Sequence, residues 1–233
     1  MTEIFDTVQS RRTLIRSALF AAGGMAVSSC VAPAAKMAAA PRPIPVPARP
    51  VPVAVAKADP KAPANIRPEL FKRAVAALDQ HASRIATHDR IAIADFSQPS
   101  YRPRLHLVHL GTGACESFLV AHGIGSDPSH TGLLQRFSNE PNSEASCEGA
   151  FLTADYYVGK HGDSQRLLGL DATNNNAYDR AIVVHSAWYS NADMIAQHGK
   201  LGRSQGCFAV GENELAKVFE RLGPGRMIYS AKV

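Results

Sequence analysis

The sequence predicts an α+β domain, a mostly antiparallel β-sheet or sandwich with a few helices. Three observations predict it. Beyond residue 90, several short runs alternate apolar residues with period two, as half-buried strands do. Helical spacing holds in only two stretches, 68–86 and 215–222. Turn residues such as Gly111-Thr112-Gly113 separate the runs, and no strand–helix–strand rhythm is present. A chain of 233 residues can bury a core without a disulfide framework. It lacks the run of ~18–20 apolar residues that a membrane span needs, so a polytopic membrane protein is excluded.

The first third reads as an address and a spacer. Ser10-Arg11-Arg12-Thr13-Leu14-Ile15-Arg16 opens a short apolar run, Ala18 to Val27. Paired arginines before such a run read as an export signal, and small residues crowd its end as a cleavage site requires. The arrangement resembles the twin-arginine signal, with Leu14 in place of the usual Phe. The plain alternative is an amphipathic helix with a basic start. Val27-Ser28-Ser29-Cys30 resembles a lipobox, in which Cys30 would carry lipid and tether the protein to a membrane. Ala32-Pro33-Ala34 offers an ordinary signal-peptidase site instead, and the sequence leaves both open. Residues 31–66 are rich in Ala, Pro and Val and hold nine of the fifteen prolines, the composition of a semi-stiff linker. The boundaries expected are therefore 1–30 signal, 31–66 linker and 67–233 catalytic domain. Eight of the 25 basic residues but three of the 20 acidic ones fall before residue 67. The formal charge of +5 thus belongs to the N-terminal third, and no nucleic-acid partner is implied.

Each element of the folded part has its own signal. Pro68 at a first turn, with Leu70, Phe71, Val75, Leu78 and Ile85 near helical spacing, predicts a helix over 68–86. Ile91, Ile93 and Asp95 then alternate with Ala92, Ala94 and Phe96. A strand around Leu105 and Leu107, the 111–113 turn and an apolar run 117–121 predict a hairpin. Residues 151–158 and 181–185 read as further strands. Leu215, Val218, Phe219 and Leu222 fall at i, i+3, i+4 and i+7, a helix closed by Gly223-Pro224-Gly225. Residues 227–230 are the last strand.

The chemistry concentrates in Gly202-Arg203-Ser204-Gln205-Gly206-Cys207. Gly202-x-Ser204-x-Gly206 fits the nucleophile elbow of serine hydrolases, but those need a His after the Ser. None of the nine histidines follows Ser204, so this reading fails. A second reading makes Cys207 the nucleophile. A free thiol with a pKa of about 8.5 is mostly protonated at neutral pH and needs a base. His185, at the end of the apolar run 181–185, is the candidate. Gly206 would permit a sharp turn that lets backbone N–H groups approach an oxyanion. A buried structural Cys beside a surface turn remains the plain alternative on these residues alone.

His185-Ser186-Ala187-Trp188-Tyr189 followed by Gly202-Arg203-Ser204-Gln205-Gly206-Cys207-Phe208-Ala209-Val210 resembles the active-site region of the L,D-transpeptidase (YkuD-type) family. That family carries a His, a gap and [ST]-x-G-C. The subgroup most similar is the murein L,D-transpeptidase catalytic domain, with G-R-S-x-G-C. Upstream, Gly111-Thr112-Gly113, Val120-Ala121-His122-Gly123, Phe137-Ser138-Asn139, Leu152-Thr153, Gly159-Lys160-His161-Gly162, Arg166-Leu167-x-Gly169-Leu170, Asn176-Ala177 and Arg180 through His185 recur in order. The resemblance covers about residues 70–230. It implies a sheet of the L,D-transpeptidase catalytic type, with Cys207 as nucleophile and His185 as base. Ser204 would orient His185 or line the pocket, and Gly206 would help hold the oxyanion. It also implies a peptidoglycan tetrapeptide as donor, release of terminal D-Ala, and a thioester resolved by an amine into a crosslink between third residues. Water as acceptor would make an L,D-carboxypeptidase. No metal or cofactor is implied, and the place of action is the periplasm.

Three positions depart from the commoner pattern. Gln205 stands for His, Ala209 for an Arg that would contact a substrate carboxylate, and Ser186 for Gly. Arg203 or Arg180 is expected to supply the missing charge, with Gln205 and Tyr189 lining the substrate site. Cys115 and Cys147 remain for a disulfide or as two free thiols. His106-x-x-His109 has odd spacing, which on a strand puts the rings on opposite faces and argues against a metal. Rival readings are a non-catalytic wall-binding lipoprotein and a zinc L,D-carboxypeptidase.

Overall fold

The computed structural model describes residues 61–233. The expected export signal, the expected lipobox and all but the last residues of the expected linker lie outside them. The first described helix, α1 (Pro68–Gln80), has Pro in its first turn and buries Leu70, Phe71, Ala74 and Leu78. It is one and a half turns shorter than its apolar spacing suggested. The backbone N–H of His81 closes the helix on Ala77 O and that of Ala82 bonds Asp79 O, while the His81 ring bonds the Asp171 carboxylate at 2.7 Å. Ile85 is buried from a turn rather than from a helix.

Eight strands form one sheet: β1 (Arg90–Asp95), β2 (Leu105–His109), β3 (Cys115–Phe118), β4 (Gly149–Gly159), β5 (Gly162–Gly169), β6 (Val183–Ser186), β7 (Phe208–Val210) and β8 (Met227–Ala231). Their order is β3-β2-β1-β8-β4-β5-β6-β7. Five pairings are antiparallel, while β1–β8 and β6–β7 are parallel. The α+β, mostly antiparallel expectation therefore stands. Two short helices complete the domain, α2 (Asp193–His198) and α3 (Leu215–Leu222).

Period-two alternation sorts the core onto the two faces. Ile91, Ile93, Val108 and Met227 point to the face covered by α1. Ala92, Ala94, Leu107, Phe151, Leu167, Val184, Phe208 and Ile228 point to the face covered by α3. Packing of the catalytic unit begins before residue 67, because Ile66 is buried and Ala62 packs against the α1 cluster.

Two strands and one helix were not expected from the sequence. β5 opens with Gly162-Asp163-Ser164-Gln165, too polar to read as a strand, and β7 has only three residues. The short α2 buries no residue, so no apolar stripe announces it. Ala181, expected to start a strand, has φ of 53° and belongs to the turn before β6.

Candidate active site

Strands β6 and β7 run side by side, with His185 opposite Ala209 and Val184 opposite Phe208. Val184 and Phe208 face the core beneath α3, so His185 and Ala209 face the other way. Cys207 immediately precedes β7, and the same alternation brings it to the face of His185. The two candidate catalytic residues thus share a surface. Among the described residues no hydrogen bond joins them. The thiol donates to the Ala181 carbonyl at 3.5 Å, and the His185 Nδ1 donates to the Ser186 carbonyl at 2.8 Å. That bond assigns the proton to Nδ1 and leaves the Nε2 lone pair as the base. Burial lowers the His185 pKa and raises that of Cys207. Both shifts favour a neutral imidazole beside a neutral thiol over a preformed ion pair.

The loop carrying Cys207 is clamped from behind. Gly206 has φ of 108°, and a Cβ there would meet Ala145 O at 2.6 Å and Ile182 Cδ1 at 2.8 Å. Ser204 Oγ accepts from the Gly206 N–H at 3.1 Å and donates to the Cys207 carbonyl at 2.7 Å. Ser204 braces the loop, and among the described residues no hydrogen bond joins it to His185. The Gly206 N–H is turned inward, so Gly206 contributes backbone geometry and not an oxyanion donor.

Behind this loop lies Val120-Ala121-His122-Gly123. Ser204 N donates to His122 O at 2.9 Å, and Ile124 N to Ser204 O at 2.7 Å. A Cβ on Gly123 would lie 2.3 Å from Glu144 O and 2.9 Å from Gly206 N, so only glycine lets the three segments meet. The His122 ring, 1% exposed, lies between Arg104 Nη2 at 2.7 Å and the Asp127 carboxylate at 3.3 Å. Arg104 is fully buried and also bonds the carbonyls of Gln98 and Val120. Burial, reinforced by the Arg104 charge, pulls His122 down to about 4 and keeps it neutral.

Both arginines expected to hold a substrate carboxylate are already engaged. Arg203 Nη1 bonds the carbonyls of Asp127 and Pro128. Arg180 bonds Ser138 O at 2.7 Å, Cys147 Sγ at 2.7 Å and Ala145 O at 2.6 Å, fixing the 138–147 segment against Gly206. A guanidinium spent on three acceptors is a structural staple. Cys147 is therefore bound to Arg180, while Cys115 lies near Asn65. Cys115, Cys147 and Cys207 are all free thiols, and the disulfide alternative is not realised.

Gln205 donates to Glu144 Oε1 at 2.8 Å and lines a cleft of about 350 Å³ with Asn142, Asn176, Asp179 and Arg180. Larger cavities lie elsewhere, of about 430 Å³ at Ser190 and Gly211 and about 530 Å³ at Tyr156 and Phe219. The smaller cleft adjoins the Cys207 loop through Gln205. Tyr189 packs with Ala121, Ala187 and Ala209, while Trp188 stands exposed at its edge. Burial and the nearby Cys207 push the Tyr189 phenol up to about 12, so it stays protonated.

In front of His185 stands the tip of the β4–β5 hairpin. Gly159 pairs with Gly162 around Lys160-His161. The His161 ring stacks on the His185 ring, centroids 4.4 Å apart and planes at 21°. Burial dominates both shifts, lowering His185 and raising Cys207; the Lys160 charge adds to the first and partly offsets the second. His106, by contrast, bonds Ser117 within the sheet, and no group of three potential metal ligands occurs among the described residues.

The loop-borne Cys207 and the strand-borne His185 thus lie on one face of the sheet. The profile of the L,D-transpeptidase catalytic domain matches residues 62–230. The chain belongs to that family. No curated protein matches it. Among solved structures, the domain is similar to an L,D-transpeptidase from Mycobacterium smegmatis, with 13% identity, a TM-score of 0.38, and 61% of this chain and 58% of that one covered. It is similar to one from Mycobacterium tuberculosis, with 12% identity, a TM-score of 0.41, and 62% and 58% covered. It is also similar to the helical cell shape determining protein Pgp2 of Campylobacter jejuni, with 10% identity, a TM-score of 0.41, and 67% and 53% covered. The chain spans less than two thirds of the length of each.

Within this L,D-transpeptidase catalytic domain, the motif located the Cys207 loop and His185. It did not identify the work of His122, Arg104, Asp127, Lys160 or His161. His122 and His161 each precede a glycine in segments that match the family, and that was their only signal.

Proposed function

We propose that the protein is a cysteine-dependent peptidoglycan L,D-transpeptidase. The observation that carries this reading is His185, its Nδ1 pinned on Ser186 O, on the same sheet face as Cys207. In the first half-reaction the Cys207 thiol proton passes to His185 Nε2 as Sγ attacks the carbonyl carbon of the third residue of a tetrapeptide stem. The carbonyl oxygen becomes an oxyanion, met by the main chain at Cys207 and the protonated Tyr189 phenol. When the intermediate collapses, the C–N bond breaks and the nitrogen of D-Ala takes the proton from His185. A thioester remains. In the second half-reaction an amine of another stem attacks it, His185 takes that proton, and the thiolate leaves and is reprotonated. The products are a crosslink between third residues and the free enzyme.

An exported, periplasmic location fits a cell-wall substrate, with residues 1–30 as the address, 31–66 as the spacer and 67–233 as the catalytic unit. A lipidated Cys30 would add a tether. No helix among the described residues is long and apolar enough to cross a membrane. The test is mass spectrometry of purified disaccharide-tetrapeptides incubated with the protein and with Cys207→Ala. Loss of D-Ala with a new dimer, both absent in the variant, is the expected result. Loss of D-Ala without dimer would mean an L,D-carboxypeptidase. No change, with a competent substrate, would mean a wall-binding protein.

A further inference from the structure

We propose that Lys160, at the tip of the β4–β5 hairpin, binds the terminal carboxylate of the donor stem and so selects stems that end one residue after the scissile carbonyl. The identity of the donor rests on the transpeptidase reading. The placement of the charge rests on the geometry around Cys207.

The leaving residue of such a donor carries a free carboxylate about one residue, ~3.8 Å, beyond the carbonyl that Cys207 attacks. A cation must therefore stand close to the thiol, with hydrogens to spare. Arg203 is anchored through Nη1 to the carbonyls of Asp127 and Pro128, and Arg180 through both terminal nitrogens to Ser138 O, Cys147 Sγ and Ala145 O, so each guanidinium is held by the main chain of a neighbouring segment. Arg166, on β5 opposite Val183, places its guanidinium carbon 4.1 Å from the centre of the Tyr157 ring and 5.9 Å from that of Tyr178. Lys160 differs from all three. Among the described residues its ammonium makes no hydrogen bond or ion pair.

The hairpin tip is nevertheless fixed in place. Ser164 pairs with His185 across β5 and β6, and the His161 ring lies on the His185 ring. This register brings residue 160 to the mouth of the site. Its charge is felt by both Cys207 and His185, consistent with that position. Burial and Lys160 together lower the His161 pKa, so His161 is neutral at neutral pH and does not compete as a cation. Elsewhere along the loop, Glu144 and Asp179 outnumber Arg180 in the cleft beside Gln205, which leaves that cleft net negative and unfavourable to a carboxylate. The field across the site thus has a direction, positive at the hairpin and negative at the cleft. A stem longer by one residue would carry its carboxylate ~3.8 Å past the ammonium. The same lysine then favours tetrapeptide over pentapeptide donors.

Binding separates this assignment from the chemistry. Titration calorimetry on Cys207→Ala protein would compare a stem tetrapeptide with the same peptide carrying a C-terminal amide. The amide is expected to bind about tenfold more weakly, the worth of one charge-assisted contact. Adding Lys160→Gln should erase the difference, and Lys160→Arg should restore most of it. The substituted residue is on an exposed hairpin tip, so the variants keep the fold. A carboxylate preference that survives Lys160→Gln, its absence in the Lys160 protein, or its loss in Arg166→Gln instead would each overturn the proposal. D-Ala release by unsubstituted protein reports on the reaction separately. If release fails while the binding difference holds, the transpeptidase reading falls and the Lys160 assignment stands.

Discussion

The back and the front of the nucleophile loop are built on opposite plans. Behind it, Ser204, Arg203, Arg180, His122, Arg104 and Asp127 are joined through hydrogen bonds that are almost wholly internal. In front, Lys160 has no partner among the described residues, Trp188 is 65% exposed, and the cleft beside Gln205 opens to solvent. The most chemically suggestive residues of the motif, a serine and two arginines, proved to belong to the back. A polar side chain beside a nucleophile is therefore not evidence of contact with substrate. The informative quantity is how many of its hydrogen bonds are still to be made.

The largest expected effect separates front from back outright. Cys207→Ala should lower D-Ala release by about a thousandfold or more with no loss of thermal stability. At the back, Arg104→Met should show the reverse pattern. It strands the carbonyls of Gln98 and Val120, and should cost about 3 kcal/mol in denaturant unfolding. Arg180→Lys tests the seam between them. A lysine cannot span Ser138, Ala145 and Cys147 at once, so kcat should fall about tenfold while the carboxylate preference is kept. If that preference vanished too, the division into back and front would be wrong.

Acid should also act differently on the two sides. At the front, His185 must be neutral to act as base, and its lowered pKa places the acid limb of kcat/KM below 6.5. At the back, His122 takes a proton near 6.5 when unfolded but near about 4 when folded. Between those values the unfolded chain binds more protons. The His122 contribution to stability is thus complete above about 6.5 and declines as pH falls toward 4, which melting curves across that range would show. The smallest effect belongs to the hairpin tip. Lys160→Gln should change stability by less than about 0.5 kcal/mol.

The same contrast explains what could be read in advance. α3, β1, β2 and β8 were legible because each repeats apolar residues at the period of its element, α3 against one face of the sheet and the strands toward both. β5 was not, because Asp163 and Ser164 lie toward its open end beside the site, and a strand serving a cleft carries polar residues where a core strand carries valines. Cys207 and His185 were legible from motif and spacing. The Arg104–His122–Asp127 relay was not, since Arg104 and Asp127 are 23 positions apart and meet only after the sheet closes. The anchoring of Arg203 and Arg180 was illegible for a related reason: sequence shows that a charge is present, not which carbonyl oxygens hold it.

The place of β8 bears on how the domain comes into being. This strand, the last of the eight in the chain, lies between β1 and β4 and is bonded to both, with Ile91 beside Met227 and Phe151 beside Ile228. Until residues 227–231 have been synthesised, the β1–β3 and β4–β7 halves have no shared edge. A nascent chain stalled anywhere before them would display two unclosed sheet margins to its surroundings. The fold must then assemble after synthesis of its final strand, in a single late step governed by the longest-range pairing in the sheet. Ribosome-stalled chains ending before and after residue 231 should differ sharply in protease resistance.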